Sequence, residues 1–193
     1  MSTKYILVGG YPKVASDGGK AFCEEMVNGF AEPVKILDCL FARPKETWEK
    51  ALEDDKMFLA RNLTGKEFVL ETAELEKFSR QARWADVIYL RGGDEEGTLI
   101  EYLSRDGSWL NELDGKVLVG TSAGSDAISK YFYDLDNLKL AEGLGILQIK
   151  IIVHYQSNYN SPNIDWDRAY EELKNYEEDL PIITLKEGEY KIF

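Results

Sequence analysis

The chain of 193 residues is 44% apolar and 30% charged, a composition typical of a compact globular protein and one that excludes the disordered and fibrous classes. Acidic residues outnumber basic residues by 35 to 23, and the resulting formal charge of −12 repels phosphate backbones and anionic lipids, so we expect no nucleic-acid partner. No stretch approaches the roughly 18 consecutive apolar residues of a membrane span, and no signal-type apolar region opens the chain, so we expect a cytoplasmic protein without a membrane partner.

The first half of the chain alternates short apolar runs with helical patterns, and the length predicts a single domain over residues 1–193. The predicted strands are 4–10, 34–41, 67–70 and 86–90, and the helices between them are 20–30, 45–62 and 72–84. Asp54 and Asp55 mark a point where the second helix could break. Its apolar positions are predicted to face the core, namely Trp48, Leu52, Met57, Phe58 and Leu59.

Arg91-Gly92-Gly93-Asp94 follows the strand at 86–90 and forms a loop before the next helix. Asp94 is of a residue type that caps helices, and Glu95 and Glu96 would fall in the first turn, where the helix dipole favours acids. We therefore predict that the helix begins directly after Asp94.

The second half begins with the strand that leads into residue 120. An aromatic segment at 131–138 predicts a short strand and a loop, and the apolar run at 146–153 predicts a strand that ends at His154. After a polar loop at 157–162, we predict a helix at 165–176, a strand at 181–185 and a terminal hairpin that turns at Glu187-Gly188.

Strands that alternate with helices predict an α/β three-layer sandwich with a mostly parallel central sheet. In such sheets, ligands bind beyond the carboxyl ends of the strands. Gly10, the pair Gly92-Gly93, Ser122 and His154 all follow predicted strands. We therefore expect these four loops to meet at one edge of the sheet.

The stretch 116–128 reads as a strand, a sharp turn and a helix around Gly120-Thr121-Ser122-Ala123-Gly124. Its small residues permit a tight and strained turn, which would place the Ser122 side chain beyond the end of the strand. The amides that follow would favour negative charge beside Ser122 when a serine attacks a carbonyl. The pattern therefore predicts a nucleophile elbow.

His154 is the only histidine, and Cys23 and Cys39 are the only cysteines, which we expect to be buried reduced thiols. No Cys/His cluster has the spacing of metal ligands, so we expect neither a metal nor a cofactor. A serine nucleophile needs a base, and imidazole suits that task near neutral pH. His154 is thus the predicted base, with His154 and Ser122 expected on the same edge of one sheet.

A carboxylate should orient the imidazole, and two candidates lie between the elbow and the histidine. We favour Asp136 over Asp134. Backbone amides of Gly93, or Gly92, together with Ala123 would form the oxyanion hole.

The Gly92-Gly93-Asp94 loop, the Gly120-Thr-Ser-Ala-Gly-Ser125 elbow and the strand that ends in His154 together resemble peptidase family S51. That family contains dipeptidase E, an aspartyl dipeptidase, and more remotely cyanophycinase. The resemblance implies a flavodoxin-like or class I glutamine amidotransferase-like fold. It also implies a cytoplasmic serine peptidase without a cofactor, which cleaves short peptides after an N-terminal aspartate.

Carried onto this chain, the resemblance implies Ser122 as nucleophile, His154 as base, and Gly93 with Ala123 as oxyanion donors. The family usually has Gly-Gly-Asn where this chain has Asp94, so the resemblance implies a changed substrate contact there. An acidic substrate would require a cation in the pocket, and the candidates are Arg91 and Arg168. The protein could be a monomer or a homodimer.

Two other functions are compatible with the same residues. The order Ser, Asp, His also fits an α/β-hydrolase esterase, but only 32 residues separate Ser122 from His154, which leaves little room for the intervening elements of that fold. A small-molecule-binding domain without catalysis is the other alternative, because a fold alone does not establish a function.

Overall fold

The computed structural model describes residues 2–159 and 164–193, so part of the predicted polar loop lies outside the described residues. Its largest element is a six-stranded sheet with the order β10-β1-β5-β4-β2-β3, in which β10 alone is antiparallel to its neighbour. The strands are β1 (Lys4–Val8), β2 (Val34–Cys39), β3 (Phe68–Thr72), β4 (Val87–Leu90), β5 (Val117–Thr121) and β10 (Tyr190–Ile192).

Successive side chains of each strand point to opposite faces of this sheet, and helices cover both faces. Ile36 packs with the apolar faces of α1 (Lys20–Val27) and α2 (Trp48–Asn62) on one side. Leu37 belongs to the core on the other side, with α3 (Phe78–Trp84), α4 (Glu96–Arg105) and α5 (Ala123–Ile128). This arrangement confirms the predicted α/β sandwich with a mostly parallel central sheet. Short 3-10 helices occupy Pro12–Val14, Lys45–Thr47, Leu75–Lys77 and Gly107–Glu112.

A second, four-stranded sheet has the order β7-β6-β8-β9, and α6 (Trp166–Lys174) packs against it. Its strands are β6 (Tyr131–Asp134), β7 (Lys139–Glu142), β8 (Lys150–Ile152) and β9 (Ile182–Thr184). The sequence predicted only one sheet. β8, the strand before His154, lies in this second sheet and not in the central sheet that leads to Ser122. The apolar side chains of β8 and β9 pack in the same core as those of α5.

The predicted terminal hairpin is wrong, because its two strands belong to different sheets. β9 belongs to the second sheet, whereas β10 pairs with β1 in the central sheet. The segment between them crosses from one sheet to the other, and the amide of Gly188 donates to the carbonyl of Gly10 over 2.8 Å. Glu187-Gly188 is therefore a turn, as predicted, but one that joins two sheets.

Two local predictions about charged residues are wrong. Asp94 does not cap α4, which begins at Glu96 with Glu95 as the preceding residue and without a side-chain cap. α2 continues through Asp54 and Asp55 without a break, and Asp55 lies inside. Met57 in the same helix is 55% exposed, although its spacing predicted a core position.

Within the described residues, none of the helices has both the length and the apolar composition needed to cross a membrane.

Candidate active site

Ser122 lies in the sharp turn between β5 and α5, with φ 51° and ψ −120°, a conformation that residues with a side chain rarely adopt. Such backbone strain costs on the order of 1–3 kcal/mol and persists only where the surroundings enforce it. The neighbouring glycines explain how: a Cβ on Gly124 would lie 2.0 Å from the carbonyl oxygen of Leu90, and one on Gly120 would lie 2.5 Å from the backbone of Gly124. The turn therefore requires the small residues that the sequence supplies.

Ser125, the second serine of the motif, holds this turn in place. The amide of Val8 donates to Ser125 Oγ over 3.0 Å, and Oγ lies 2.8 Å from the carbonyl oxygens of both Val8 and Gly120. The side chain is fully buried. Ser125 thus links β1, β5 and α5 directly behind the nucleophile candidate.

The loop that we call the oxyanion loop, residues 91–94, lies against the elbow. A Cβ on Gly92 would meet the Cβ of Ser122 at 2.8 Å, and the amide of Gly92 donates to Thr121 Oγ1 over 3.1 Å. That bond occupies the Gly92 amide. Among the described residues, no acceptor contacts the amides of Gly93 and Ala123, so these two N–H groups are free to stabilise an oxyanion.

His154 reaches the elbow from the second sheet. Its amide donates to the carbonyl of Gly9 over 2.7 Å, and its own φ is 50°. A Cβ on Gly10 would lie 2.1 Å from Cε1 of the imidazole, so the glycine is needed for the ring to fit. The ring also stacks on Tyr159 with centroids 3.9 Å apart. Close packing on Gly9 and Gly10, directly after β1, therefore brings His154 to Ser122 although their strands belong to different sheets.

The imidazole contacts a hydroxyl on one side and a carboxylate on the other. His154 Nε2 lies 2.9 Å from Ser122 Oγ, and Nδ1 lies 3.2 Å from Glu187 Oε1. His154 is 2% exposed, and this burial lowers its pKa, although Glu187 and Asp136 act in the opposite direction. A neutral imidazole beside the hydroxyl can accept its proton, which is what a general base must do.

The acid at Nδ1 is Glu187 rather than Asp136 or Asp134, the two that the sequence favoured. The carboxylate of Asp134 forms hydrogen bonds within its own loop, where it accepts from the amides of Asp136 and Asn137 and from Asn137 Nδ2. Asp136 is close enough to affect the pKa of His154, but both ring nitrogens already have other partners. The acid thus follows the histidine in the chain, in the turn at Glu187-Gly188.

Two cavities adjoin this group. The first, here called the acidic cavity, has a volume of about 1040 Å³ and contains Asp94, Asp136 and Glu187 together with Tyr11 and Tyr159. The second, here called the nucleophile cavity, has a volume of about 820 Å³ and contains both Ser122 and His154. Asp94 lines both cavities and therefore lies near the candidate nucleophile.

The two arginines that the sequence suggested for substrate binding are both paired. Arg91 lines the nucleophile cavity, but its Nε lies 2.6 Å from Asp55 Oδ2 and its side chain is only 17% exposed. Arg168 is exposed on α6 and lies 2.7 Å from Glu172. Neither guanidinium is therefore a ready partner for an acidic substrate.

Buried Asp126 and Asp134 and half-buried Glu96 form a group of acids with Asp136, which lines the acidic cavity. Burial raises the pKa of Glu96 to about 8, with further contributions from Asp134 and Asp136, and it raises the pKa of Asp126 well above its usual range. Lys139 acts in the opposite direction on Glu96. In residues 2–159 and 164–193, no three His, Cys, Asp or Glu side chains are placed so that they could hold a metal ion.

We predict that the contribution of Glu96 to the free energy of unfolding falls as pH rises. The folded protein keeps a proton on Glu96 up to about pH 8, whereas the unfolded chain loses it near its ordinary pKa of 4.5, so folding is favoured most below that value. Glu96→Gln should remove up to about 1.4 kcal/mol per pH unit of this slope. Urea unfolding at pH 5.5 and 8.5 measures it. Exposed Glu101→Gln is the control, and a pH dependence of stability that Glu96→Gln leaves unchanged would contradict the prediction.

Comparisons with known proteins place the chain in a family and show structures of similar fold. A family model described as peptidase family S51 matches residues 45–191. The crystal structure of a peptidase from an acI-B1 Actinobacterium is 23% identical with a TM-score of 0.68, and the match covers 100% of this chain and 84% of that one. A putative peptidase E protein from Listeria monocytogenes EGD-e is 18% identical with a TM-score of 0.72, over 100% and 95% of the two chains. A sequence comparison with curated proteins found no significant match.

Proposed function

The chain belongs to peptidase family S51, and from that premise we propose that it cleaves short peptides by a serine mechanism, through an acyl-enzyme on Ser122. The observation that carries the proposal is the continuous contact from Ser122 Oγ through the imidazole of His154 to the carboxylate of Glu187. A strained serine with a buried neutral base at 2.9 Å is the arrangement that nucleophilic catalysis needs.

In the first half of the reaction, His154 Nε2 takes the proton of Ser122 as Oγ attacks the carbonyl carbon of the peptide. The negative charge that develops on the carbonyl oxygen is stabilised by the amides of Gly93 and Ala123. Glu187 accepts from Nδ1–H, which fixes the tautomer and stabilises the imidazolium. His154 then gives the proton to the leaving amine, and the C–N bond breaks.

In the second half, water replaces the amine. His154 takes a proton from the water as its oxygen attacks the acyl carbon, and the Ser122 Oγ–C bond breaks as Oγ regains a proton. The same two amides stabilise the second oxyanion. The products are the free acid and the regenerated serine.

We propose further that the substrates are short peptides with a free amino terminus, with N-terminal aspartate as the first candidate. The acidic cavity supports the amino terminus, because Asp94, Asp136 and Glu187 attract an ammonium group. An N-terminal aspartate is what the family resemblance implies. It also requires a cation near Ser122.

The test combines substrate turnover with labelling. We expect hydrolysis of dipeptides such as Asp-Leu, detected as free amino acids, and little turnover of chromogenic esters by comparison. A fluorophosphonate should label Ser122, and peptide mapping would locate the adduct. Fast ester turnover without peptide cleavage would favour the esterase instead. A folded protein that neither turns over a substrate nor reacts with the probe would favour a binding domain.

A further inference from the structure

Arg43 lines the nucleophile cavity without a partner for its charge. Its Nε is buried and has no hydrogen bond within the described residues, and no acid among them forms an ion pair with its guanidinium. A buried charged donor without an acceptor is costly, and proteins seldom keep one without a reason. An anionic group of a bound ligand would supply the acceptor that Arg43 lacks.

The oxyanion loop places Arg43 next to the reacting atoms. A Cβ on Gly92 would meet the Cβ of Ser122 at 2.8 Å, whereas a Cβ on Gly93 would meet Cγ of Arg43 at 2.7 Å. Two adjacent glycines therefore contact the nucleophile on one side and the arginine on the other. A peptide whose carbonyl oxygen points at the Gly93 amide would have neighbouring groups within reach of Arg43.

The backbone of Arg43 is fixed, so the side chain starts from a defined point. Its amide donates to the carbonyl of Leu40 over 2.9 Å, and its carbonyl accepts from Trp48 Nε1 over 2.9 Å. A guanidinium can bind a carboxylate with two parallel hydrogen bonds, which give both strength and orientation.

Nearby charges do not satisfy Arg43. Asp38 is fully buried, and burial raises its pKa well above the usual range, which disfavours the charged form of this acid although Arg91 and Arg43 act in the opposite direction. Asp55 is engaged by Arg91. Lys13 and Arg61 also line the cavity, but both are exposed to solvent. Arg43 is therefore the half-buried cation of this cavity whose charge is left for a ligand.

We propose that Arg43 binds a carboxylate of the peptide substrate beside the oxyanion loop, an inference that rests on the proposed peptidase function. The carboxylate has two sources in a dipeptide such as Asp-Leu, namely the side chain of the first residue and the carboxyl terminus. The first source would make Arg43 the determinant of acidic specificity. The second would make it the residue that limits the length of the substrate.

The experiment measures binding in the Ser122→Ala background, in which the peptides remain intact. Calorimetry compares Asp-Leu, Asn-Leu and the amide of Asp-Leu, with Arg43 intact, with Arg43→Gln and with Arg43→Lys. Arg80→Gln is the control, because it removes one positive charge from an exposed position on α3. We expect Arg43→Gln to weaken binding of Asp-Leu about 10- to 100-fold, Arg43→Lys to recover part of it, and Arg80→Gln to have no effect.

The peptides separate the two sources. A loss for Asp-Leu and its amide but not for Asn-Leu assigns the side-chain carboxylate to Arg43, and a loss for Asp-Leu and Asn-Leu but not for the amide assigns the terminal one. The proposal would be overturned if Arg43→Gln bound the peptides as tightly as the protein with Arg43 intact, or if its affinity fell equally for all three peptides. It would also be overturned if no peptide bound.

A second measurement keeps this result separate from the proposed function. In the otherwise wild-type protein, Arg43→Gln should slow labelling by a small fluorophosphonate far less than it weakens binding of Asp-Leu, because that probe has no carboxylate. Labelling slowed as strongly as binding is weakened would mean that Arg43 only supports the oxyanion loop and would overturn the proposal. Carboxylate-dependent binding in a protein that hydrolyses no peptide would remove the peptidase mechanism and leave the role of Arg43 intact.

Discussion

Ser122→Ala and His154→Ala should each lower kcat for the best dipeptide by about 10⁴- to 10⁶-fold, and the double variant should lose little more than either single one. The reason is that the hydroxyl and the imidazole, 2.9 Å apart, act as one unit: without the base the serine keeps its proton, and without the serine the base has nothing to activate. Progress curves at high enzyme concentration would measure the residual rates.

Ser104→Ala is the matched control for this series, because Ser104 is exposed on α4 and its hydroxyl bonds only within that helix. It should retain wild-type activity. Independent, multiplicative losses in the double variant would show that Ser122 and His154 do not act on the same proton. A Ser122→Ala protein within tenfold of the wild type would remove the acyl-enzyme altogether.

Glu187→Gln should lower kcat by about 10³- to 10⁴-fold while the protein stays folded. The amide of Gln matches the carboxylate in size, but it carries no charge to stabilise the imidazolium, and its NH₂ group can hold the wrong tautomer of His154. Because Glu187 raises the pKa of His154 and burial lowers it, the acidic limb of the kcat/KM profile should also move to lower pH.

Asp136→Asn tests the competing assignment of the acid, and we expect a loss much smaller than that of Glu187→Gln. Glu189→Gln is the control for a change of charge in the same turn, since Glu189 is exposed and accepts from the amide of Lys186. A large loss in Asp136→Asn with a small one in Glu187→Gln would return the role to the acid that the sequence favoured.

The elbow could be predicted because its requirement is local. A strained serine between a strand and a helix needs small residues at fixed offsets, and Gly120, Ala123 and Gly124 stand at those offsets. The order of strands and helices in the central sheet is readable for a similar reason, because each element carries its own periodicity.

The partners of His154 depend instead on contacts between distant parts of the chain. Glu187 comes from the segment that crosses between the two sheets, and nothing in its local sequence distinguishes it from other acids in turns. The second sheet was missed for the same reason, because a short apolar strand such as β8 gives no sign of which sheet it joins.

The burial of charged residues could not be predicted from the sequence either. Asp55 has the spacing of a surface residue in α2, yet it is buried against Arg91. Arg43 follows an apolar strand in a loop, and only its packing on Gly93 shows that it lines the nucleophile cavity. Burial of a charge is set by which elements pack over it, and a single sequence does not carry that information.

The crossing from β9 to β10 also bears on protein synthesis. Ribosomes add residues from the amino terminus onward, so a growing chain that has reached residue 180 carries Ser122 and His154 but neither Glu187 nor the strand that anchors it to β1. The contacts from Ser122 through His154 to Glu187 can therefore form only after β10 has been synthesised and can pair with β1, so the proposed catalytic group is assembled late in synthesis.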